Sequence, residues 1–226
     1  MKTVLELSGV VFLVFIVYFF NGYQKLYKVS KGKPIKKRDN LKTGLLIIDM
    51  QKDVTHKNGR SVMDLKQTDS IIVNINRLID HIEELRLKVI FVRHEFENNF
   101  LLKLLTKGAL QKGNPETEID ERLKVGNNTI IIKNSAEAFK NTSLDNLLKE
   151  HHIGHLYMTG IDAEYCVAKT VKAALNRQYR VTVVSDAIGA RTLGKRDKKI
   201  EDFYNEGAEI ITTKQLLNKL NKVLLN

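Results

Sequence analysis

Short apolar runs alternate with longer segments of helical periodicity from residue 44 onward. The short runs are continuously apolar, which is typical of strands covered on both faces in a parallel sheet. Six strands are predicted, at 44–49, 88–94, 128–133, 155–160, 180–186 and 208–213. The segment between the first two carries one apolar stripe at helical spacing, formed by Ile71, Ile75, Leu78, Ile82 and Leu85.

Similar helical patterns fill 142–151, 165–178 and 213–224. Strands that alternate with helices along a chain favour a parallel sheet with helices on both faces. The predicted fold class is therefore α/β, a three-layer α/β/α sandwich around a six-stranded, mostly parallel sheet. Residues 96–127 form the least regular segment, and we interpret them as either a substrate lid or an oligomer contact.

An uncharged and mostly apolar segment runs from Leu7 to Gln24. A helix of this length reaches roughly 27 Å, close to the thickness of a bilayer's hydrocarbon core. A cleaved signal peptide is the alternative, but the only n-region cation is Lys2, opposed by Glu6, and no A-x-A-like cleavage site follows. A buried core helix is a second alternative, which the lysines on one flank disfavour. We predict an uncleaved transmembrane anchor at residues 1–24.

Much of the basic charge lies just after this segment. The chain carries a formal net charge of +11, and residues 21–40 hold seven basic residues against one acidic residue. Residues 25–42 are predicted to be a basic juxtamembrane linker that also contacts anionic lipid headgroups. The positive-inside rule then predicts a single-pass membrane protein with its catalytic domain, 43–226, in the cytoplasm. No aromatic or glycine-rich recognition pattern accompanies the charge, so no nucleic-acid partner is predicted.

Predicted strands end in two reactive side chains, Asp49 and Lys133, and the loop after the fourth strand brings a third, Cys166. Because ligands of an open parallel sheet bind at the carboxyl ends of its strands, all three are expected at one edge. Taken alone, each has a more ordinary explanation: a helix cap, a solvated ammonium and a buried core residue, respectively. Cys166 is the single cysteine of the chain, which excludes an internal disulfide. The joint placement favours catalysis.

This combination of side chains suits acyl transfer from a carbonyl carbon. Only the thiolate of a cysteine attacks well, and we expect a helix N-terminus and the Lys133 ammonium to favour it over the thiol. Asp49 can take the thiol proton and pass it to a leaving group. Backbone N–H groups at the start of the helix can stabilise the oxyanion that forms.

Four blocks of the sequence resemble successive blocks of the isochorismatase-like cysteine hydrolase superfamily, over roughly residues 43–213: "GLLIIDMQKD", "VIFVRHE", "IIIKNSAEAFKNTSLDNLL" and "LYMTGIDAEYCVAKTVKAALNRQYRVTVVSDA". The resemblance implies a Rossmann-like parallel sheet and a catalytic triad of Asp49, Lys133 and Cys166. It also implies a cis peptide bond between Ile161 and Asp162. The oxyanion hole would then be the backbone N–H groups of Asp162 and Cys166.

One block departs from the pattern of the superfamily's nicotinamidases, which bind a metal through an Asp-x-His motif after the second strand. His94 stands where that aspartate would be, and Phe96 where the histidine would be. No metal of that type and no other cofactor is therefore predicted. His94 is a candidate substrate contact, with an ordinary hydrogen-bonded histidine as the alternative. Phe139 matches a family aromatic near the active site, with a core position as the alternative.

The leading hypothesis is a membrane-tethered cysteine hydrolase that cleaves a C–N bond of a small amide or carbamoyl-type substrate through a thioester on Cys166. The alternatives are a catalytically silent binding module of the same fold, and a nicotinamidase-like or isochorismatase-like enzyme with a different substrate. A redox-sensing cysteine is disfavoured because no resolving cysteine exists. The partner is a small molecule, and the resemblance also implies a homo-oligomer.

Overall fold

The computed structural model describes residues 28–35 and 41–224. Six strands form one sheet: β1 (Lys42–Ile48), β2 (Lys88–His94), β3 (Thr129–Lys133), β4 (Ile153–Gly160), β5 (Arg180–Ile188) and β6 (Glu209–Ile211). The helices of this described part are α1 (Lys52–Thr55), α2 (Leu65–Glu84), α3 (Phe100–Leu105), α4 (Leu144–Glu150), α5 (Cys166–Asn176), α6 (Leu193–Asn205) and α7 (Thr213–Leu224). A 3-10 turn covers Pro115–Thr117.

The sheet is parallel throughout, in the strand order β3-β2-β1-β4-β5-β6. The predicted three-layer α/β/α sandwich with a Rossmann-like six-stranded sheet is therefore confirmed. The chain order reverses between β1 and β4, and open α/β sheets bind their ligands at such a switch point.

Two apolar cores cover the two faces of the sheet. Leu45 and Ile47 of β1 point into one core, Leu46 and Ile48 point into the other, and all four are fully buried. Helices α2 and α7 cover the first core, and α4, α5 and α6 cover the second. This burial on both faces explains why the strands read as continuous apolar runs.

Helix α6 is the longest element that the apolar pattern did not predict. Its sequence LGKRDKKIEDFYN contributes a single buried side chain, Phe203, so it shows almost no apolar stripe. Thr192 caps the first turn by accepting a hydrogen bond from the Lys195 N–H. The helix lies where a crossover from β5 to the parallel strand β6 requires one, and its own sequence carries little of that information.

Residues 28–35, which belong to the predicted linker, pack against the sheet domain. The Ser30 N–H donates a hydrogen bond to Glu137 Oε1 at 2.9 Å, and the Ile35 N–H donates to the Arg177 carbonyl at 2.8 Å. The described half of the predicted linker is thus held against the domain by long-range contacts. The domain boundaries predicted at residues 24 and 42 stay predictions.

The predicted transmembrane anchor, residues 1–24, lies outside the described residues. Within 28–35 and 41–224, no helix is both long and apolar enough to cross a membrane. The longest, α2, exposes charged side chains such as Asp69 and Asp80 along one face. The predicted localisation, a single-pass membrane protein with a cytoplasmic catalytic domain, is wrong on this finding, and the described structure is assigned no membrane span.

Gly160, the last residue of β4, approaches the backbone of β1 closely. It has a φ of +108°, a conformation that L side chains rarely adopt. A Cβ at this position would clash with the Ile48 carbonyl oxygen. The Ile161 N–H donates to the same oxygen at 2.9 Å, so the close approach fixes the start of the loop that leads to Cys166.

We expect Gly160→Ala to lower the free energy of unfolding by roughly 3 kcal/mol or more, because the strain of a positive φ adds to a backbone clash. Gly113→Ala is the matched control, since Gly113 has a φ of +80° and a Cβ there would meet no described atom within 4 Å. Gly113→Ala should lower the free energy of unfolding by only about 1–2 kcal/mol. Urea denaturation of both variants is the measurement, and equal losses would contradict the importance of the close approach.

Candidate active site

The structure brings together the three side chains that the strand ends predicted. Lys133 Nζ lies 2.8 Å from Asp49 Oδ2 and 3.3 Å from Cys166 Sγ. Asp49 and Lys133 are buried, and Cys166 is half-buried. A carboxylate, an ammonium and a thiol therefore meet at the carboxyl edge of the sheet, close to the switch point between β1 and β4.

Each side chain is placed by the end of an element. Asp49 directly follows β1 and has a left-handed backbone with a φ of 52°, which is uncommon for a residue other than glycine. Lys133 is the last residue of β3, and Cys166 is the first residue of α5. Because β1, β2 and β3 are parallel neighbours, their carboxyl ends lie side by side, and the loop after β4 brings the cysteine to them.

The Lys133 ammonium occupies the centre of the site. Besides Asp49 and Cys166, it contacts His94 Nδ1 at 2.9 Å and the Ser135 carbonyl at 3.1 Å. Ligand atoms of Asp49, His94 and Cys166 all lie within 4.8 Å of one another, an arrangement that could hold a metal ion. The ammonium already stands among these atoms, so its positive charge takes the place that a cation would need, and the residues fit a metal poorly.

Burial and charge decide the protonation states of this group. Burial raises the pKa of Asp49, although the Lys133 ammonium opposes the shift. Burial alone would lower the pKa of Lys133, but the charges of Asp49 and Cys166 outweigh it, and the net shift is upward. The lysine is therefore a cation at neutral pH.

The Cys166 thiol behaves differently from the sequence-based expectation. Burial, and then the negative charge of Asp49, raise the pKa of the thiol above its ordinary value, and Lys133 only partly offsets them. Lys133 does favour the thiolate, as expected, but burial and Asp49 outweigh it, and the resting group is consequently a thiol. Asp49 Oδ1 accepts no hydrogen bond from the described residues, so this oxygen is available to take the thiol proton.

His94 is held beside Asp49, Lys133 and Cys166 by hydrogen bonds to its backbone. The Gln51 side chain accepts from the His94 N–H at 2.8 Å and donates to the His94 carbonyl at 2.9 Å. Since the Lys133 ammonium can only donate, Nδ1 must accept and the ring proton must reside on Nε2. Burial, and then the Lys133 charge, hold the pKa of His94 well below its ordinary value, so the imidazole is neutral.

The loop from Gly160 to Cys166 carries the backbone groups predicted to form an oxyanion hole. The peptide bond between Ile161 and Asp162 is cis. The loop is fixed to the end of β5, because the Ala163 N–H donates to the Gly189 carbonyl at 2.7 Å. Within the described chain, the N–H groups of Asp162 and Cys166 donate no backbone hydrogen bond. Both remain available for a bound oxygen.

Phe139 is buried in the apolar core against which Cys166 packs. The Arg177 guanidinium stacks over its ring at 4.4 Å, and the Tyr179 ring lies 5.8 Å away. Arg177 in turn pairs with Asp145 at 2.9 Å. These contacts agree with the alternative given for Phe139, a core position.

A family model described as the isochorismatase domain matches residues 43–215. This chain belongs to the isochorismatase family. It is 30% identical over 159 residues to the uncharacterized isochorismatase family protein YddQ of Bacillus subtilis (strain 168). This similarity covers 69% of this chain and 82% of YddQ. The chain is 27% identical over 170 residues to the ureidoacrylate amidohydrolase RutB of Serratia proteamaculans (strain 568), over 64% of this chain and 68% of RutB.

A solved structure shows the same fold. The cysteine hydrolase from Pseudomonas syringae pv. phaseolicola 1448A superposes with a TM-score of 0.74 at 22% sequence identity, over 85% of this chain and 99% of that one. Together with the family match, these similarities identify an isochorismatase-family hydrolase that is related to amidohydrolases.

Sequence reasoning missed several residues that shape the site of this hydrolase. Gln51 anchors the end of β2 and also donates to the Thr117 carbonyl at 2.6 Å. Its position two residues after Asp49 is the sequence feature that could have identified it as a site residue. Ser135 contributes only its carbonyl to the site, so its residue type gives no signature in the sequence.

Asp49→Asn should accelerate the alkylation of Cys166 by iodoacetamide at pH 8 while it lowers turnover. Removing the carboxylate charge lowers the thiol pKa, and one pKa unit is worth about tenfold in thiolate. Glu164→Gln is the matched control, because Glu164 is a carboxylate of the same loop that pairs with Lys195. An Asp49→Asn thiol that reacts no faster than that of the wild type would contradict the effect of Asp49 on Cys166.

Proposed function

We propose that this protein is a cysteine hydrolase that cleaves a C–N bond of a small amide or carbamoyl compound through a thioester on Cys166. The observation that carries the proposal is the contact of one buried ammonium with both a carboxylate and the only thiol of the chain. Asp49 is the proposed general base and acid, and Lys133 holds the two partners in register. The predicted homo-oligomer stays a prediction.

In the acylation half of the proposed reaction, Asp49 Oδ1 takes the thiol proton while Sγ attacks the carbonyl carbon. The C–S bond forms and the negative charge moves to the substrate oxygen, where the N–H groups of Asp162 and Cys166 can bind it. The protonated Asp49 then gives its proton to the leaving nitrogen. The C–N bond breaks, and ammonia or an amine departs.

The deacylation half reverses the roles. Asp49 takes a proton from a water molecule whose oxygen attacks the thioester carbon, and the C–S bond breaks. The proton returns to sulfur, which restores the resting thiol that burial favours. Lys133 stays protonated throughout, because its pKa is raised, so it stabilises each anionic form without exchanging its own proton.

The relatives support a C–N bond as the target. RutB, whose similarity spans 68% of its own length, is by name a ureidoacrylate amidohydrolase. A carbamoyl or amide substrate presents a carbonyl carbon with a nitrogen leaving group, which matches a site that couples a nucleophile to a proton donor.

Cys166→Ala should abolish ammonia release from any small amide or ureido compound that the wild type hydrolyses, by at least about 10³-fold, because no second nucleophile is available in the triad. Met158→Leu, a substitution in the core under the site, is the control and should retain activity. Circular dichroism checks that both variants are folded. A folded Cys166→Ala enzyme with wild-type turnover would remove the nucleophile from the proposal.

The pH at which kcat/KM falls on the acid side should lie above the ordinary aspartate pKa of about 3.9. Asp49 must be ionised to accept the thiol proton, and burial raises its pKa, so activity should fall as the pH drops through that raised value. A pH–rate profile from pH 3.5 to 9 is the measurement. Full activity down to pH 4 would show that Asp49 is not the base.

A further inference from the structure

Several buried polar atoms have no hydrogen-bond partner among the described residues. Seven buried side-chain nitrogen or oxygen atoms of the described residues have no hydrogen-bond partner, and four of them belong to Asp49, His94 and Gln111. The first is the oxygen assigned to proton transfer. The other three are His94 Nε2 and both polar atoms of the Gln111 amide, for which the proposed chemistry has no use.

The backbone places His94 and Gln111 on the same face. His94 and Phe96 are two residues apart along an extended stretch, and their rings lie 4.2 Å apart, so both point to the same side. Phe96 forms a parallel bridge with Gln111, in which the Phe96 N–H donates to the Leu110 carbonyl and the Lys112 N–H donates to the Phe96 carbonyl. Paired residues of such a bridge direct their side chains to one face. His94, Phe96 and Gln111 therefore form one wall beside Lys133.

These unpartnered groups define what the wall can recognise. A buried polar group without a partner destabilises a fold, so native structures rarely keep several together unless a ligand or water bonds to them. The neutral His94 offers a donor at Nε2. The Gln111 amide offers a donor at Nε2 and an acceptor at Oε1, a set that matches a carbonyl oxygen together with an N–H group.

The charges of the site determine which carbonyl compound fits. Two buried cations occur among the described residues, Lys133 and Arg177, and they are paired with Asp49 and Asp145. The half-buried Arg93 next to His94 is also paired, with Glu95 and Glu118. No unpaired buried cation of the described residues is left to neutralise a substrate carboxylate, and an unpaired buried carboxylate is costly. An uncharged amide meets the donors and the acceptor of the wall without this cost.

We propose that His94 Nε2–H and the Gln111 amide bind a second, uncharged amide or ureido group of the substrate, so that the enzyme selects neutral diamides over the corresponding carboxylates. This inference rests on the proposed function, because it assumes that the scissile carbonyl lies at Cys166. His94 and Gln111 act in specificity, and the bond-breaking steps use Asp49, Lys133 and Cys166.

The test uses three probes of equal size: malonamide, malonamate and 3-methylbutyramide. They present the same scissile amide next to an amide, a carboxylate and an apolar group, respectively. The wild type should hydrolyse malonamide with a kcat/KM at least about tenfold above that for malonamate. Equal or higher kcat/KM for malonamate would overturn the inference.

Gln111→Met removes the amide but keeps the length of the side chain. It should lower the malonamide to 3-methylbutyramide ratio of kcat/KM about tenfold or more, mainly through a higher KM for malonamide. Its Tm should stay level or rise, because an unpartnered buried amide is lost. His94→Gln is a second variant, in which an amide N–H replaces the hydrogen-bond donor of His94 Nε2.

Gln67→Met is the matched control, since the Gln67 amide is buried but bonds both the N–H and the carbonyl of Ala190. It should lower Tm and leave the substrate ratio unchanged. If Gln111→Met behaves in the same way, with a lower Tm and an unchanged ratio, then Gln111 has a structural role only and the inference is wrong.

A binding measurement separates this inference from the proposed function. Calorimetry with Cys166→Ala should show malonamide binding that weakens about tenfold when Gln111→Met is added. If the wild type hydrolyses none of the probes but this binding pattern holds, the proposed reaction fails and the recognition pair stands. The opposite outcome is hydrolysis of 3-methylbutyramide and malonamide through Cys166, with no effect of Gln111→Met on malonamide binding or on the ratio of kcat/KM. The proposed reaction is then supported, and the proposed recognition by His94 and Gln111 is wrong.

Discussion

The buried ammonium of Lys133 is the group on which the rest of the site depends. A lysine this deeply buried would lose much of its charge unless acceptors surrounded it, since desolvation penalises the charged form. Four acceptors do surround it: Asp49 Oδ2, His94 Nδ1, the Ser135 carbonyl and Cys166 Sγ. The parallel order of β3, β2 and β1 brings the first three together, and the loop after β4 adds the fourth.

This arrangement has consequences both for the proposed chemistry and for the proposed recognition of the substrate. Lys133 fixes the histidine tautomer, compensates Asp49 and holds the sulfur close to the carboxylate. Because its charge is already matched by Asp49, the described site has little net charge left to attract an anion. In the proposed function, recognition then uses neutral groups such as His94 and Gln111, while the charged groups serve the chemistry. This division of the proposed roles would let one compact site both activate a thiol and discriminate between substrates.

The sequence was informative where a local pattern carries the fold. Continuous apolar runs and helical stripes predicted the parallel sheet, and the residues at the ends of β1, β3 and β4 predicted the converging trio. Helix α6 was missed because its stripe is nearly absent, and Gln111 because its position depends on a bridge to Phe96. The resting thiol could not be read from residue types, since the balance between burial, Asp49 and Lys133 is a property of distances. The localisation drawn from residues 1–24 was wrong.

The central claim is that Cys166 forms a covalent bond to the substrate while Asp49 carries the proton. Rapid-quench mass spectrometry of the intact protein, during a single turnover of a hydrolysed amide, tests it most directly. The account predicts a transient mass increase equal to the acyl group less one hydrogen, located on the peptide that contains Cys166 and removed by hydroxylamine. Product formed at the same rate with no adduct at any time would show that water attacks the substrate directly, and would contradict the account.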